Sequence, residues 1–111
     1  MYSHKPLNEK KLFDFLQRNN GIERITWTRH AKQRLIERGI IMSDILYLLR
    51  HKFELISLDE TTRSDEGLYK YKIAGYTPNS GGKRICIVII PSLERCAVKL
   101  VTVMWENESR E

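Results

Sequence analysis

Two periodicities divide the chain. Up to Lys52 the apolar residues recur at three- and four-residue spacing; from Phe53 onward they alternate or run in β-branched blocks. The stretch PLNEKKLFDFLQRNNG puts Leu12, Phe13, Phe15 and Leu16 on one stripe, with Pro6 suited to a first turn and Gly21 to a stop, and predicts a helix. RITWT reads as a short β-like piece. Thr28 is placed to cap a second helix, Arg29 to Arg38, closed by Gly39. Ser43 or Asp44 is placed to cap a third, DILYLLRHK, in which Ile45, Leu46, Leu48 and Leu49 keep helical spacing.

Beyond these, FELISLD, LYKYKIAGY, KRICIVII and CAVKLVTVMW read as strands, separated by the polar turn ETTRSDEG, the loop TPNSGG and a short turn at 92–95. The last two should pair as an antiparallel hairpin. Helices followed by strands define an α+β fold, with N-terminal helices packed on one face of a roughly four-stranded antiparallel sheet. With the turn at 92–95, Ile85, Ile87 and Ile89 share the helix-facing side with Val98, Leu100 and Thr102. The other side then carries Arg84 and Lys99 among Val88, Val101, Val103 and Trp105. One of two alternating pairs, Tyr69 and Tyr71 or Lys70 and Lys72, joins that open side.

A length of 111 residues fits one domain with a single core: residues 1–23 as an N-terminal helix extension, 24–105 as the core, and 106–111 as a polar, frayed tail. The apolar run Ile85 to Ile90 is too short to cross a bilayer, and no signal peptide is visible, so a cytoplasmic protein is expected. On the expected register Cys86 faces Val101, away from Cys96, which argues for free thiols. These two cysteines and the three histidines show no metal-ligand spacing, and no cofactor is implied. The net charge of +5 serves solubility, or else a polyanionic partner such as RNA or an acidic protein.

The second helix carries the most specific chemistry. With His30 at zero on an ideal helix, Glu37 falls at about −20°, Arg34 at about 40° and Arg38 at about 80°. Ala31 and Leu35 follow at about 100° and 140°, so the polar stripe borders the buried one. Rim positions of this kind suit anion binding by guanidinium groups and proton transfer by an imidazole. They equally suit a solvated edge, with an Arg34–Glu37 surface pair and Arg38 lying over the core margin. His4 and His51 read as incidental or structural, and Trp27 as core.

The segment TRHAKQRLIERGI, followed by a helix and a sheet ending in VTVMW, resembles a small bacterial family with a helix of form H-A-x-x-R-x-x-x-R-G-I. That family is grouped with the RelE- and BrnT-like toxins of the barnase–RelE–colicin ribonuclease class. The likeness covers roughly residues 24–105, through His30, Ala31, Arg34, Arg38, Gly39, Ile40 and Thr102. It implies RNA cleavage and often an antitoxin partner, here a small acidic protein; with no metal-ligand cluster, the cleavage expected is metal-free, by attack of the 2′-hydroxyl. His30, Arg34 and Arg38 are then the candidate catalytic residues. Lys70, Lys72, Arg84 and Lys99, with Tyr69 and Tyr71, are the candidate nucleic-acid contacts. A non-catalytic domain that binds RNA or an acidic protein, such as a phage or plasmid accessory protein, is the alternative.

Overall fold

The computed structural model describes residues 7–18, 25–60, 69–92 and 97–106. Three helices, α1 (Glu9–Arg18), α2 (Arg29–Arg38) and α3 (Met42–Arg50), accompany five strands. The strands are β1 (Ile25–Trp27), β2 (Glu54–Glu60), β3 (Tyr69–Gly75), β4 (Ile85–Ser92) and β5 (Ala97–Trp105). Pro6 and Gly21, the expected bounds of α1, lie outside the described residues, as do His4, Cys96, the 61–68 turn and the tail from 107.

Asn8 starts α1: its side-chain oxygen accepts from the Lys11 N–H at 2.8 Å. Thr28 caps α2 as expected, accepting from the Ala31 N–H at 2.9 Å. Gly39 ends α2 at φ 67°, a left-handed conformation that favours glycine. The start of α3 differs from expectation. The helix begins at Met42, and Asp44 sits one turn inside, reaching back to the Ile41 N–H at 3.4 Å. The same buried carboxylate accepts from the Thr77 hydroxyl at 2.9 Å, which ties α3 to the turn before β4.

The sheet order is β1-β5-β4-β3-β2. Four strands are antiparallel neighbours, and β4 pairs with β5 as the sequence predicts. The expected four-stranded sheet is nevertheless a five-stranded mixed one, because β1 adds parallel to β5 from Ile25–Val98 to Trp27–Leu100. One aliphatic face holds the core: Ile73, Ile85, Ile87, Ile89, Val98, Leu100 and Val103 pack under Leu12 and Leu16 of α1, Ala31 of α2, and Ile45, Leu48 and Leu49 of α3.

A bulge corrects the faces of β5. Ile89 pairs with Leu100 and Val88 with Thr102, which leaves Val101 without an opposite residue. An extra residue reverses the side-chain alternation beyond it. Val103 and Trp105 therefore turn to the core, and Thr102 turns to the open face opposite Val88, contrary to the unbroken alternation assumed from sequence. Cys86 likewise faces Met104 and not Val101. Glu106, expected in the tail, is fixed: its N–H donates to the Arg84 carbonyl at 2.9 Å.

The bulge yields a direct test. Val103→Asp should abolish folding, since burying an unpaired charge costs several kcal/mol of a total of about 5–15. Thr102→Asp, on the half-exposed side, should change stability by no more than about 1 kcal/mol in chemical denaturation. The reverse ranking would restore the unbroken register.

Candidate functional site

Helix α2 is fastened along the far half of β5. At its start the Thr28 hydroxyl donates to the carbonyl of the bulged Val101 at 3.0 Å. At its end the Trp105 indole N–H donates to the Arg38 carbonyl at 3.2 Å. Ten helical residues span about 15 Å and the four steps from Val101 to Trp105 about 13 Å, so the two bonds fit one straight helix lying beside one straight strand. This fixes the rotation of α2. Ala31 is fully buried, Leu35 half-buried, and Ile36 is turned to solvent.

With that rotation the expected stripe does border the core. His30 is exposed in the first turn; Arg34 and Arg38 are half-buried, their side chains 32% and 25% accessible. Glu37 stands between the two guanidinium groups, accepting from Arg34 at 2.5 Å and from Arg38 at 3.5 Å. The Gln33 amide donates to its other oxygen at 3.0 Å. The Arg34 hydrogen bond is the main cause that holds the Glu37 carboxyl below its ordinary value, against a smaller opposing effect of desolvation. A lowered carboxyl pKa means the pair is complete above the ordinary carboxylate range and breaks only as pH falls through the lowered value. Near neutrality, therefore, a phosphate that binds Arg34 and Arg38 must displace Glu37 or share them with it.

The structure chooses between the two alternating pairs on β3. Lys70 and Lys72 lie on the open face, opposite Asp59 and Ser57 of β2, and Lys72 also faces Val88. Lys99 is on the same face opposite Ile90. All three lysines are half-exposed. Tyr69 and Tyr71 turn to the helices, so neither offers a ring to the open face. Tyr71 is buried, its hydroxyl accepting from the Leu7 N–H at 2.7 Å, and burial raises its pKa. Thr102 shares the open face and not the side of the core. Arg84 is on the open side too, but its fork is engaged. It donates to Glu106 at 2.9 and 2.8 Å and to Glu54 at 2.6 Å, and both carboxylates raise its pKa. It thus rivets β4 to β2 and to the end of β5. Cys86 is buried on this face with its thiol pKa pushed up, chiefly by burial.

Among the described residues no group of three or more His, Cys, Asp or Glu side chains is arranged to hold a metal ion. None of the described helices is long and apolar enough to cross a membrane. The sequence reading passed over a groove at the C-terminal end of α3, where Tyr47, Arg50, His51 and Lys52 come together. Its signal was visible as the basic run Arg50-His51-Lys52 one turn after a tyrosine.

The profile of the family described as "Domain of unknown function (DUF4258)" matches residues 27–105. The chain belongs to this family. The match begins at Trp27 and ends at Trp105, so it takes in α2 with its stripe and the sheet from β2 to β5, and leaves out α1. No curated protein and no solved structure matches the chain.

Glu37→Gln tests whether Glu37 blocks the two arginines. It keeps the side-chain shape and removes the charge. Affinity for single-stranded RNA at low salt should rise roughly two- to tenfold, because one repulsive charge leaves the surface. Thermal unfolding should be unchanged. A drop in affinity would instead make Glu37 the group that positions Arg34 and Arg38.

Proposed function

We propose that the chain is a cytoplasmic, metal-free endoribonuclease of toxin type, akin to the RelE- and BrnT-like proteins its α2 motif resembles. One observation carries the reading: an exposed imidazole, His30, shares the rim of one short helix with two half-buried guanidinium groups. In such a reaction a base takes the proton of the 2′-hydroxyl and the oxygen attacks the adjacent phosphorus. The P–O5′ bond breaks, and an acid protonates the departing oxygen. The products are a 2′,3′-cyclic phosphate and a free 5′-hydroxyl. His30 is suited to one of the two proton transfers. Arg34 and Arg38 are suited to the charge that builds on the non-bridging oxygens. Glu37 is a poor base while Arg34 holds it ionised. The second proton transfer then falls to solvent, which makes this a slower site than one with paired imidazoles.

A second reading is favoured by the open sheet face. Lys70, Lys72 and Lys99 stand on it, with Lys72 directly opposite the half-exposed Val88. A positively charged face with apolar positions beside the lysines suits an acidic amphipathic protein, as an antitoxin would be, and also suits RNA binding without cleavage.

Induction of the chain in a bacterium, with growth and RNA integrity followed together, separates the two. The nuclease reading expects arrest with fragmented RNA; His30→Gln and Arg34→Lys should lower cleavage about 10²–10⁴-fold at unchanged thermal stability. EDTA should leave cleavage intact, and loss on chelation would overturn the mechanism. RNA binding should weaken steeply with salt, by roughly 0.7 in log K per log unit of salt for each neutralised phosphate. Intact RNA with salt-sensitive binding would leave the non-catalytic reading.

A further inference from the structure

The groove at the end of α3 has a volume of about 960 Å³ and shares no residue with the α2 stripe. Small-ligand pockets hold roughly 300–1,000 Å³, so a nucleotide fits within it. Its wall is aromatic. The rings of Tyr47 and His51, one helical turn apart, are stacked with centroids 4.1 Å apart and planes 25° from parallel. Both residues are exposed, and Tyr76, 58% accessible, also lines the groove. Behind them Phe13 and Phe53 pack at 5.7 Å as an apolar floor.

The lining of the groove is net positive, with Lys10, Arg50, Lys52 and Arg84 against Glu9 and Glu54. Two carboxylates line it, and both are engaged. Glu9 accepts from the Leu55 N–H at 2.7 Å, and Glu54 accepts from Arg84 at 2.6 Å. Lys10 lies 3.4 Å from Asp14. Arg50 and Lys52 have no ion-pair partner among the described residues. The frame that carries them is fixed. The Gln17 amide donates to the Arg50 carbonyl, tying α1 to the last turn of α3. Gly75 lets the chain at Lys52 pass close over β3: a Cβ there would lie 2.7 Å from the Leu48 side chain and 3.0 Å from the Lys52 carbonyl.

We propose that this groove is a nucleotide-binding site, in which a nucleobase stacks on the Tyr47–His51 pair and its phosphate is held by Arg50 and Lys52. Flat aromatic faces accept any base, and an unpaired guanidinium beside an ammonium suits a phosphate. An acidic peptide would use the charges but not the stack. The site does not depend on the nuclease reading, because it uses none of the α2 residues.

The test is titration of the full chain with adenosine 5′-monophosphate, adenosine, ribose 5-phosphate and a short single-stranded oligoadenylate at low salt. Backbone amide NMR shifts are the readout. The monophosphate should bind saturably and move amides around Tyr47, Lys52 and Tyr76. Adenosine and ribose 5-phosphate should each bind about tenfold or more weakly, as loss of one of two contacts implies. Oligoadenylate binding tighter than the monophosphate would make the groove part of a strand path; equal binding would make it a mononucleotide site. Arg50→Gln with Lys52→Gln, both exposed, should remove the advantage of the monophosphate over adenosine while the chain stays folded. Tyr47→Leu should remove its advantage over ribose 5-phosphate. If that variant does not fold, Tyr76→Ala and the ribose 5-phosphate comparison on the parent decide the stacking. No saturable binding of the monophosphate, or binding that the double variant leaves unchanged, would overturn the proposal.

Discussion

The hydrogen bond from Thr28 to the carbonyl of Val101 holds the architecture around the candidate site. Val101 is the unpaired residue of a bulge, so its carbonyl is placed to accept from outside the β4–β5 ladder. Thr28 uses one hydroxyl twice, donating to that carbonyl and accepting from the first turn of α2. A single residue therefore starts the helix and fixes where it lies along β5. Its own N–H donates to the Leu100 carbonyl at 3.2 Å, continuing β1 into the cap. Without the bulge, Val103 and Trp105 would face away from the core, and the indole bond to Arg38 that fastens the other end of α2 would be lost.

What decides which cations can meet a polyanion is their partners, not their number. Arg84 is satisfied by two carboxylates and belongs to the sheet. Arg34 and Arg38 share one carboxylate, which leaves one positive charge over the trio. Such partly exposed pairs exchange with solvent ions, so at the proposed site Glu37 would compete with a phosphate and not exclude it. Arg50 and Lys52 form no ion pair among the described residues, although Glu9 and Glu54 line the same groove. The net charge of +5 is therefore unevenly available, and counting Lys and Arg in the sequence overstates the contribution of Arg84.

The helices were legible in the sequence because their signals are local: Thr28 and Gly39 bracket α2 within one short segment, and its amphipathic spacing fixed the order of its faces. The hairpin of β4 and β5 was legible for the same reason. The bulge was not, because Val101 sits in the uniform run Val-Lys-Leu-Val-Thr-Val, where a slip by one leaves the composition of each face nearly unchanged. Three-residue β1 carries too little pattern to announce that it pairs with a strand some seventy residues later. The choice between the Tyr and Lys pairs on β3 was open for a related reason. Tyrosine and lysine both have apolar stems and polar tips, so alternation alone does not say which pair is buried. The Leu7 N–H that satisfies the Tyr71 hydroxyl comes from the other end of the chain, and no local pattern records it.

The candidate groups and the core occupy different parts of the molecule. The fully buried sheet residues of the core are aliphatic but for Tyr71, and its hydroxyl is satisfied. His30, Arg34 and Arg38 stand on a rim beside β5, while Tyr47, Arg50, His51 and Lys52 stand at the end of α3, where the groove reaches β2. Those two strands are three steps apart in the sheet, about 14 Å at the usual spacing. Polar substitutions at either place remove little buried apolar area, so their cost in stability is small. The lysines of the open face lie on β3 and β5, across the sheet between the two. The same geometry lets an acidic protein cover the open face while leaving the groove behind α3 uncovered.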